Sequence, residues 1–284
     1  MIKIRVPGTT ANLGPAFDAG GLALALYNTF SFYEEEGPSP YGEDNLIFTS
    51  AKALYDRVGA DISSLRFEVE AEVPSSRGLG SSATCIIGGL FGANEVLGRP
   101  LDQEELLEMA TEIEGHPDNV APALYGGCVF SLSGEKGVAS LKIEGLRDLV
   151  SYVAIPDFEV STAHARAALP ESLTYSETVH NIASMPFLME GLRQSNLDLI
   201  LLGTQDQIHE PYRKDLIAGY ETMKGLEDHF KGRVLISGSG PTLLFITDQK
   251  KEEVERTWEA LGQKTGAHWD ILCLDIDHEG AKRL

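Results

Sequence analysis

Residues 73–84 read Val73-Pro-Ser-Ser-Arg-Gly-Leu-Gly-Ser-Ser-Ala-Thr84, a glycine-rich segment between a predicted strand and a predicted helix of small residues. Gly78 and Gly80 permit backbone angles and close approaches that a Cβ atom would block. The N–H groups at the start of the following helix have no partner within that helix and can bind an anion. Ser81 and Ser82 add hydroxyls that suit either a helix cap or a metal ligand. The segment therefore predicts a phosphate-binding loop.

Two common nucleotide-binding motifs do not account for this loop. Gly78-x-Gly80-x-x-Ala83 fits the loose dinucleotide pattern, but residues 67–73 before it alternate apolar and charged side chains instead of forming a continuous apolar strand. The acidic residue that should follow at a strand end is Asp102, which lies at a predicted helix start. No lysine follows the glycines, so the loop is not a Walker-type P-loop either.

The composition limits the class of partner. The chain has 284 residues, 43% of them hydrophobic, which is enough for a substantial core. Its 43 acidic and 23 basic residues give a net charge of -20, which makes nucleic acid and anionic membranes poor partners. A nucleotide must then be held by local donors and a divalent cation, and Mg²⁺ is the expected ion.

The cysteines and the N-terminus predict a cytoplasmic protein. Cys85, Cys128 and Cys273 are odd in number and far apart, which favours reduced thiols. The chain enters an alternating strand at residues 2–6 without a leader-like apolar run, and no stretch approaches about 18 apolar residues. We expect no membrane span. We also expect a homodimer, although no pattern in the sequence specifies the oligomeric state.

The order of predicted elements indicates an α+β fold of two halves that divide near residue 155. Asp102 and Glu105 form a capping signature for a helix that Gly115 closes. Strands are predicted at 2–6, 67–73, 128–132, 138–143, 152–155, 233–237, 242–247 and 268–276, and helical segments at 83–97, 103–114, 161–225 and 250–263.

Three motifs in order carry a family resemblance. Residues 74–83 resemble the central ATP motif of the GHMP kinases, which are named for galactose, homoserine, mevalonate and phosphomevalonate. Pro7-Gly-Thr-Thr-Ala-Asn-Leu-Gly-Pro-Ala-Phe-Asp18 is similar to their N-terminal motif, and Ile236-Ser-Gly-Ser-Gly-Pro241 to their C-terminal glycine loop. The resemblance implies a two-domain GHMP kinase fold. Its nucleotide-binding N-terminal half, residues 1–155, would be ribosomal-protein-S5-domain-2-like, and its C-terminal half, residues 156–284, ferredoxin-like.

Within this superfamily the chain most resembles the homoserine kinases. The similarity lies in residues 11–18, 115–122, 161–170 and Glu210-Pro-Tyr-Arg213. It implies ATP-dependent phosphorylation of the side-chain hydroxyl of L-homoserine to O-phospho-L-homoserine, a step of threonine biosynthesis. A zwitterionic substrate needs cationic forks for its carboxylate and an acidic or carbonyl partner for its ammonium. Arg166 and Arg213 suit the first task, Asp18 and Asn12 the second, and His116 would help to position the substrate.

The resemblance also assigns the nucleotide end of the site. Mg²⁺ would be held by the Ser82 hydroxyl and the Glu114 carboxylate, and Asn45 would contact adenine. Asp118 is expected to position the substrate first and to act as a base second, while Asn119 orients the reacting hydroxyl. The remaining predicted nucleotide-binding residues are those of the central motif and the C-terminal loop: Pro74, Ser75, Ser76, Arg77, Gly78, Leu79, Gly80, Ser81, Ser82, Ala83, Gly238, Ser239 and Gly240.

Other interpretations stay open at this stage. Ala16 stands where the family commonly has glycine, Gly8 is smaller than usual, and Glu114 and His116 are closer in sequence than in some relatives. A sister GHMP kinase acting on mevalonate or shikimate is the nearest alternative. A non-catalytic nucleotide sensor is a further one, but it would be expected to lack the metal ligands Ser82 and Glu114. Taken alone, Ser81 and Ser82 could simply cap a helix, and the arginines could be surface charges.

Overall fold

The computed structural model describes residues 1–37, 39–42 and 44–284. The strands are β1 Ile2–Ala11, β2 Gly20–Glu34, β3 Leu65–Ala71, β4 Cys128–Gly134, β5 Gly137–Ile143, β6 Val150–Pro156, β7 Arg233–Ile236, β8 Leu243–Thr247, β9 Trp269–Leu274 and β10 Lys282–Arg283. The helices are α1 Leu46–Val58, α2 Ser81–Val96, α3 Gln103–Glu114, α4 Pro117–Tyr125, α5 Thr162–Ala167, α6 Tyr175–Gln194, α7 Leu197–Gly203, α8 Glu210–Arg213, α9 Tyr220–Lys224 and α10 Glu252–Gly262, with short 3-10 turns at Lys214–Leu216 and Gly225–Asp228.

The strands form two antiparallel sheets. The first sheet has six strands in the order β10-β1-β2-β4-β5, with β3 also paired to β2, and the second has four in the order β7-β8-β6-β9. Helices α2 to α4 pack on the first sheet, and α1 packs mainly on α2. The apolar face of the sheet, including Phe30 and Phe32, is buried against residues such as Ile87 and Leu90 of α2. The α+β class predicted from the order of elements is confirmed.

A second core joins the two sheets. Leu22 and Phe130 of the first sheet share it with Val153 and Leu244 of the second, and with Leu188 of α6. The predicted boundary at residue 155 falls inside β6, which pairs only with strands of the second sheet, whereas β10 at the far end of the chain pairs with β1. The division into domains 1–155 and 156–284 therefore stays a proposal. Along the chain, the change from the first sheet to the second occurs between β5 and β6.

Local signals located some elements well and missed others. The Asp102 and Glu105 side chains form the expected capping box, and Gly115 ends α3 in a left-handed conformation. The sequence analysis missed α1 and the long strand β2, whose first five residues are all buried and show no alternation. In β3 the alternation did not predict burial, because Val69 is 38% exposed on a strand that pairs only with β2.

No helix among the residues that the structure describes is both long and apolar enough to cross a membrane.

Candidate active site

A cleft of about 450 Å³ brings the predicted motifs together. It lies between the start of α2, the start of α4, the β1–β2 turn and the glycine loop after β7. A groove of about 1240 Å³ beside the β4–β5 hairpin is larger but contains none of the predicted site residues. Sixteen of the predicted residues line the cleft: Asn12, Asp18, Ser75, Ser76, Gly78, Gly80, Ser81, Ser82, Glu114, His116, Asp118, Asn119, Arg166, Arg213, Gly238 and Ser239.

The other predicted site residues do not line this cleft. Asn45 uses its side-chain oxygen to cap α1, where it accepts from the N–H groups of Ile47 and Phe48. The Arg77 guanidinium donates to the carbonyls of Pro156 and Asp157 and forms an ion pair with Glu159. These partners engage the guanidinium from the side of β6, and its contact with phosphate stays a prediction. Pro74, Leu79, Ala83 and Gly240 are also outside the lining.

The phosphate loop depends on two glycines in the left-handed region. Gly78 has φ +78° and Gly80 has φ +66°. A Cβ atom on Gly78 would lie 2.3 Å from the Ser237 carbonyl oxygen, and one on Gly80 would lie 2.0 Å from Thr9 Oγ1. Gly80 is the N-cap of α2, and no described side chain caps the helix there. The first N–H groups of a sixteen-residue helix therefore face the cleft with anion-binding capacity.

The C-terminal glycine loop fixes the shape of this cradle. The Ser237 hydroxyl lies 2.6 Å from the Gly78 carbonyl oxygen and 2.8 Å from Thr10 Oγ1. The Gly238 N–H donates to the Ala11 carbonyl at 3.0 Å, and the Thr242 N–H donates to the Arg77 carbonyl at 3.2 Å. All three sequence motifs thus meet through direct hydrogen bonds.

Glu114 and Ser82 form an oxygen-rich pair beside the start of α2. Ser82 Oγ donates to Glu114 Oε2 at 2.8 Å. Burial raises the pKa of the Glu114 carboxyl, and the hydrogen bond from Ser82 only partly opposes this. A partly buried carboxylate without a lysine or arginine partner is stabilised when a divalent ion binds beside it. Hydroxyl and carboxylate oxygens are suitable ligands for Mg²⁺. The two residues present therefore fit the expected metal.

Asp118 is almost fully buried, with 1% of its surface exposed, at the first turn of α4. Its Oδ1 atom hydrogen-bonds His116 Nδ1, and this contact is the main reason that the pKa of His116 is raised. Asn119 Nδ2 lies 3.4 Å from the same Oδ1 atom, and Asn119 Oδ1 accepts from Thr9 Oγ1 at 2.9 Å. The three polar side chains are held as one unit.

An arginine and carboxylate group forms the other end of the cleft. Arg166 makes a two-pronged ion pair with Asp18, at 2.9 and 3.0 Å. The Asp18 N–H donates to Asn12 Oδ1 at 2.8 Å, and Asn12 Nδ2 donates to the Gly238 carbonyl at 2.9 Å. In the predicted scheme Arg166 binds the substrate carboxylate and Asp18 its ammonium, whereas here the two side chains neutralise each other. One nitrogen or oxygen atom each of Asp18, His116 and Asp118 lie within 4.8 Å of one another, but a metal ion there would compete with Arg166.

Arg213 is the second cation of this end, and it is buried, with 2% of its surface exposed. Its Nε and Nη1 atoms donate to the carbonyls of Ala165 and Gly238, both at 3.2 Å. Burial lowers the pKa of its guanidinium. No carboxylate of the described ranges lies within ion-pair distance of it, so its positive charge is available to an anionic ligand.

Sequence analysis did not single out several residues that shape this site. Phe17 places its ring 4.9 Å from the Arg213 guanidinium carbon and 5.6 Å from that of Arg166. Thr9, Thr10 and Ser237 supply the hydroxyls that brace the loops. All four lie inside the N-terminal and C-terminal motifs, and this membership was the sequence feature that could have indicated them. Five further residues line the cleft without having been predicted: Leu46, Cys85, Val160, Ser161 and Thr162.

This fold and three-motif cleft define a GHMP-type kinase. The family described as "GHMP kinases N terminal domain" matches residues 45–127. A homoserine kinase of Clostridium beijerinckii is 41% identical over 99% of this chain and 98% of its own length, and one of Crocosphaera subtropica is 41% identical over 99% and 96%. The crystal structure of homoserine kinase from Cytophaga hutchinsonii superposes with a TM-score of 0.87 at 26% identity, covering 100% of this chain and 97% of that one. The chain belongs to the homoserine kinase family.

Proposed function

We propose that this chain transfers the γ-phosphoryl group of ATP to the side-chain hydroxyl of L-homoserine, giving O-phospho-L-homoserine for threonine biosynthesis. The observation that carries the proposal is the cleft itself, where an uncapped helix start faces a buried arginine and an acidic group. Full-length relatives with the name homoserine kinase support the choice of substrate.

At the nucleotide end, the chain supplies backbone donors in place of lysine or arginine. The N–H groups of residues 81–83 at the start of α2 would bind the β- and γ-phosphates, and Gly78 and Gly80 leave room for their oxygens. Mg²⁺, held by Ser82 and Glu114, would neutralise charge on the phosphate oxygens. Because phosphoryl transfer has a loose transition state, alignment and charge neutralisation account for most of the catalysis.

At the amino-acid end, the charged groups orient the substrate. Arg213 would bind the homoserine carboxylate, because it is buried and its guanidinium has only carbonyl partners. Arg166 shares this task, while Asp18 and Asn12 would accept from the ammonium group. A zwitterion that enters between Arg166 and Asp18 would replace their ion pair with two others, Arg166 with the carboxylate and Asp18 with the ammonium group. The zwitterion is neutral, so its entry adds no net charge to the cleft.

Asp118→Asn tests whether Asp118 serves as a base. Asp118 is buried and shares its Oδ1 atom between His116 and Asn119, which suits a positioning role. We expect the variant to lose less than about tenfold in kcat, because the asparagine can still occupy the same position. Loss of a general base would instead cost on the order of 10²–10⁴-fold. Steady-state kinetics with saturating ATP measure the difference. A loss far above tenfold would instead assign proton abstraction to Asp118.

Glu114→Gln tests the metal site. Removing the charge should raise the Mg²⁺ concentration for half-maximal activity by at least roughly 10-fold, because losing even a group that only hydrogen-bonds a metal ligand costs about 10–100-fold in metal affinity. The experiment is a Mg²⁺ titration of initial rate at fixed ATP. Glu112→Gln is the matched control, because Glu112 is exposed on the same helix and does not line the cleft. An unchanged Mg²⁺ requirement in the Glu114 variant would remove this residue from the metal site.

A single assay separates the candidate functions. ADP release is measured with homoserine, mevalonate, shikimate and galactose under identical conditions. Turnover with homoserine alone supports the proposal, and turnover with another alcohol but not with homoserine overturns the substrate assignment. Nucleotide binding with no ADP release from any alcohol would favour a sensor.

We also infer a cytoplasmic location without nucleic-acid partners. The net charge of -20 and the three free cysteines support this inference.

A further inference from the structure

The β1–β2 turn, residues 12–19, carries the acidic end of the proposed amino-acid site on a strained backbone. Asn12 has φ +61° and Asp18 has φ +54°, so both of these non-glycine residues lie in the left-handed region. Such conformations are costly and persist only where neighbouring groups hold them. The contacts that hold this turn therefore decide where the side chains of Asn12 and Asp18 point.

His209 contacts the turn at two points but is not among the residues that line the cleft. Its Nε2 atom lies 2.9 Å from the Gly14 carbonyl oxygen, and since a carbonyl can only accept, Nε2 carries the hydrogen of this bond. Its ring stacks on Phe17, with the ring centroids 5.4 Å apart and the planes 26° from parallel. The imidazole therefore holds the part of the turn that lies between Asn12 and Asp18.

His209 is itself fixed by buried groups just before α8. Its side chain has 0% of its surface exposed. Its backbone N–H donates to Asp206 Oδ2 at 2.8 Å, and Asp206 Oδ1 accepts from Asn181 Nδ2 of α6 at 2.7 Å. The turn also lies against the end of α7, where a Cβ atom on Gly14 would come within 2.6 Å of the Thr204 carbonyl oxygen. The imidazole is thus a fixed support for a closely packed turn.

The second ring nitrogen of His209 indicates why an imidazole stands at this position. The Nδ1 atom is buried and has no hydrogen-bond partner among the described residues. An unpaired buried polar atom costs stability, and an apolar ring of the same shape would avoid that cost. Packing alone therefore does not account for the imidazole, whereas the hydrogen bond that Nε2 donates does.

We propose that His209 is a positioning residue for the amino-acid substrate. It sets the directions of Asp18 and Asn12 through its two contacts with the β1–β2 turn. The inference rests on the proposed function, in which these two side chains accept from the ammonium group of homoserine. Phe17 extends the support to the carboxylate end, because its ring also lies 4.9 Å from the Arg213 guanidinium carbon.

The nucleotide end is supported by other contacts. The Thr9 N–H donates to the Leu79 carbonyl of the phosphate loop at 3.0 Å, and Thr10 Oγ1 is hydrogen-bonded to the Ser237 hydroxyl. Both threonines belong to β1, which ends before the turn begins. Loss of the His209 contact should therefore weaken homoserine binding and leave ATP binding nearly intact.

Two variants separate the Nε2 donor from the ring. His209→Phe keeps an aromatic ring for stacking and loses the donor, whereas His209→Gln places an amide N–H near the Nε2 position and loses the ring. In His209→Phe we expect the KM for homoserine to rise on the order of tenfold, the effect of a lost buried hydrogen bond, with kcat and the KM for ATP within about twofold of the wild type. In His209→Gln the KM for homoserine should rise less than about threefold, because the hydrogen bond is kept.

Hydrogen–deuterium exchange, read by mass spectrometry, measures the turn without any substrate. In His209→Phe, peptides of residues 12–20 should exchange on the order of tenfold faster than in the wild type, while residues 78–84 should keep their rate. Trp258→Phe is the matched control, because Trp258 Nε1 donates to the buried Met223 carbonyl at 3.0 Å and the residue does not line the cleft. It should lower thermal stability and leave the KM for homoserine unchanged.

An unchanged KM for homoserine in His209→Phe, or equal rises in the constants for homoserine and ATP, overturns the proposal. A rise in His209→Gln as large as in His209→Phe overturns the role of the Nε2 donor. If His209→Phe does not fold, His209→Asn replaces it, because its shorter side chain cannot reach the Gly14 carbonyl, and KM values equal to those of His209→Gln overturn the proposal. A wild type that does not phosphorylate homoserine overturns the proposed function instead, and exchange in the turn then decides whether His209 holds it.

Discussion

Gly80→Ala is expected to reduce kcat/KM for ATP by about 10²–10³-fold, the range for losing one oriented hydrogen-bond donor at a reacting centre. The new Cβ atom would lie 2.0 Å from Thr9 Oγ1 and 3.2 Å from Asn119 Oδ1, at a backbone φ of +66°. Thr9 cannot easily move aside, because its hydroxyl donates to Asn119 at 2.9 Å. The first turn of α2 must therefore shift, and its N–H groups lose their common direction toward the phosphates.

Isothermal titration calorimetry with ATP, together with steady-state kinetics, measures this effect. Gly98→Ala is the matched control, because Gly98 follows the other end of α2 with φ +81° and no described atom lies within 4 Å of its added Cβ. It has similar backbone strain, about 1–2 kcal/mol, without a clash at the site. We expect it to lower thermal stability and to leave ATP affinity intact. Equal ATP affinity in both variants would contradict the role of the Gly80 turn.

Arg213→Lys is expected to raise the KM for homoserine on the order of 10²-fold and to leave the KM for ATP nearly unchanged. The guanidinium donates to two backbone carbonyls and packs on Phe17 while keeping its charge unpaired. A lysine ammonium cannot reproduce this planar fork. The lysine keeps the charge but loses forked hydrogen bonds to the carboxylate, and a hydrogen bond to a charged group is worth about 1.5–3 kcal/mol.

Steady-state kinetics with each substrate varied in turn provide the measurement. Arg256→Lys is the control, because Arg256 is exposed on α10 and pairs with the nearby Glu252, far from the cleft lining. It should leave both constants unchanged. If Arg213→Lys weakened ATP and homoserine equally, the residue would act through the shape of the cleft and not through the carboxylate.

The family resemblance implied that the three motifs share one site, and the structure joins them by hydrogen bonds. Their side-chain partners were harder to predict. The Arg166–Asp18 ion pair links residues 148 positions apart, so no local pattern indicates it. Arg77 was assigned to phosphate because it lies inside the glycine loop, and that contact stays a prediction. Its partners in the protein, two carbonyls at the end of β6 and Glu159, could not be predicted from the loop. Such contacts form only when distant segments fold together.

The sequence around Asn45 contained a helix-start signal that was not used, because the residue was assigned to adenine binding. An asparagine before an apolar run is a common helix start, and its side chain does cap α1. The family resemblance directed attention to adenine binding, and the adenine contact stays a prediction. The missed strand β2 has a different cause: its first five residues are buried without alternation, and such a run predicts strand and helix equally well.

The hydrogen bond between Ser237 and the Gly78 carbonyl has a consequence for biosynthesis. The nucleotide loop is translated early, yet its brace comes from a segment 159 residues later, and the last strand must still pair with the first. A nascent chain on the ribosome therefore holds the loop residues without the support that shapes them. The loop that would hold the phosphates therefore gains its final shape only when these two distant segments have folded together.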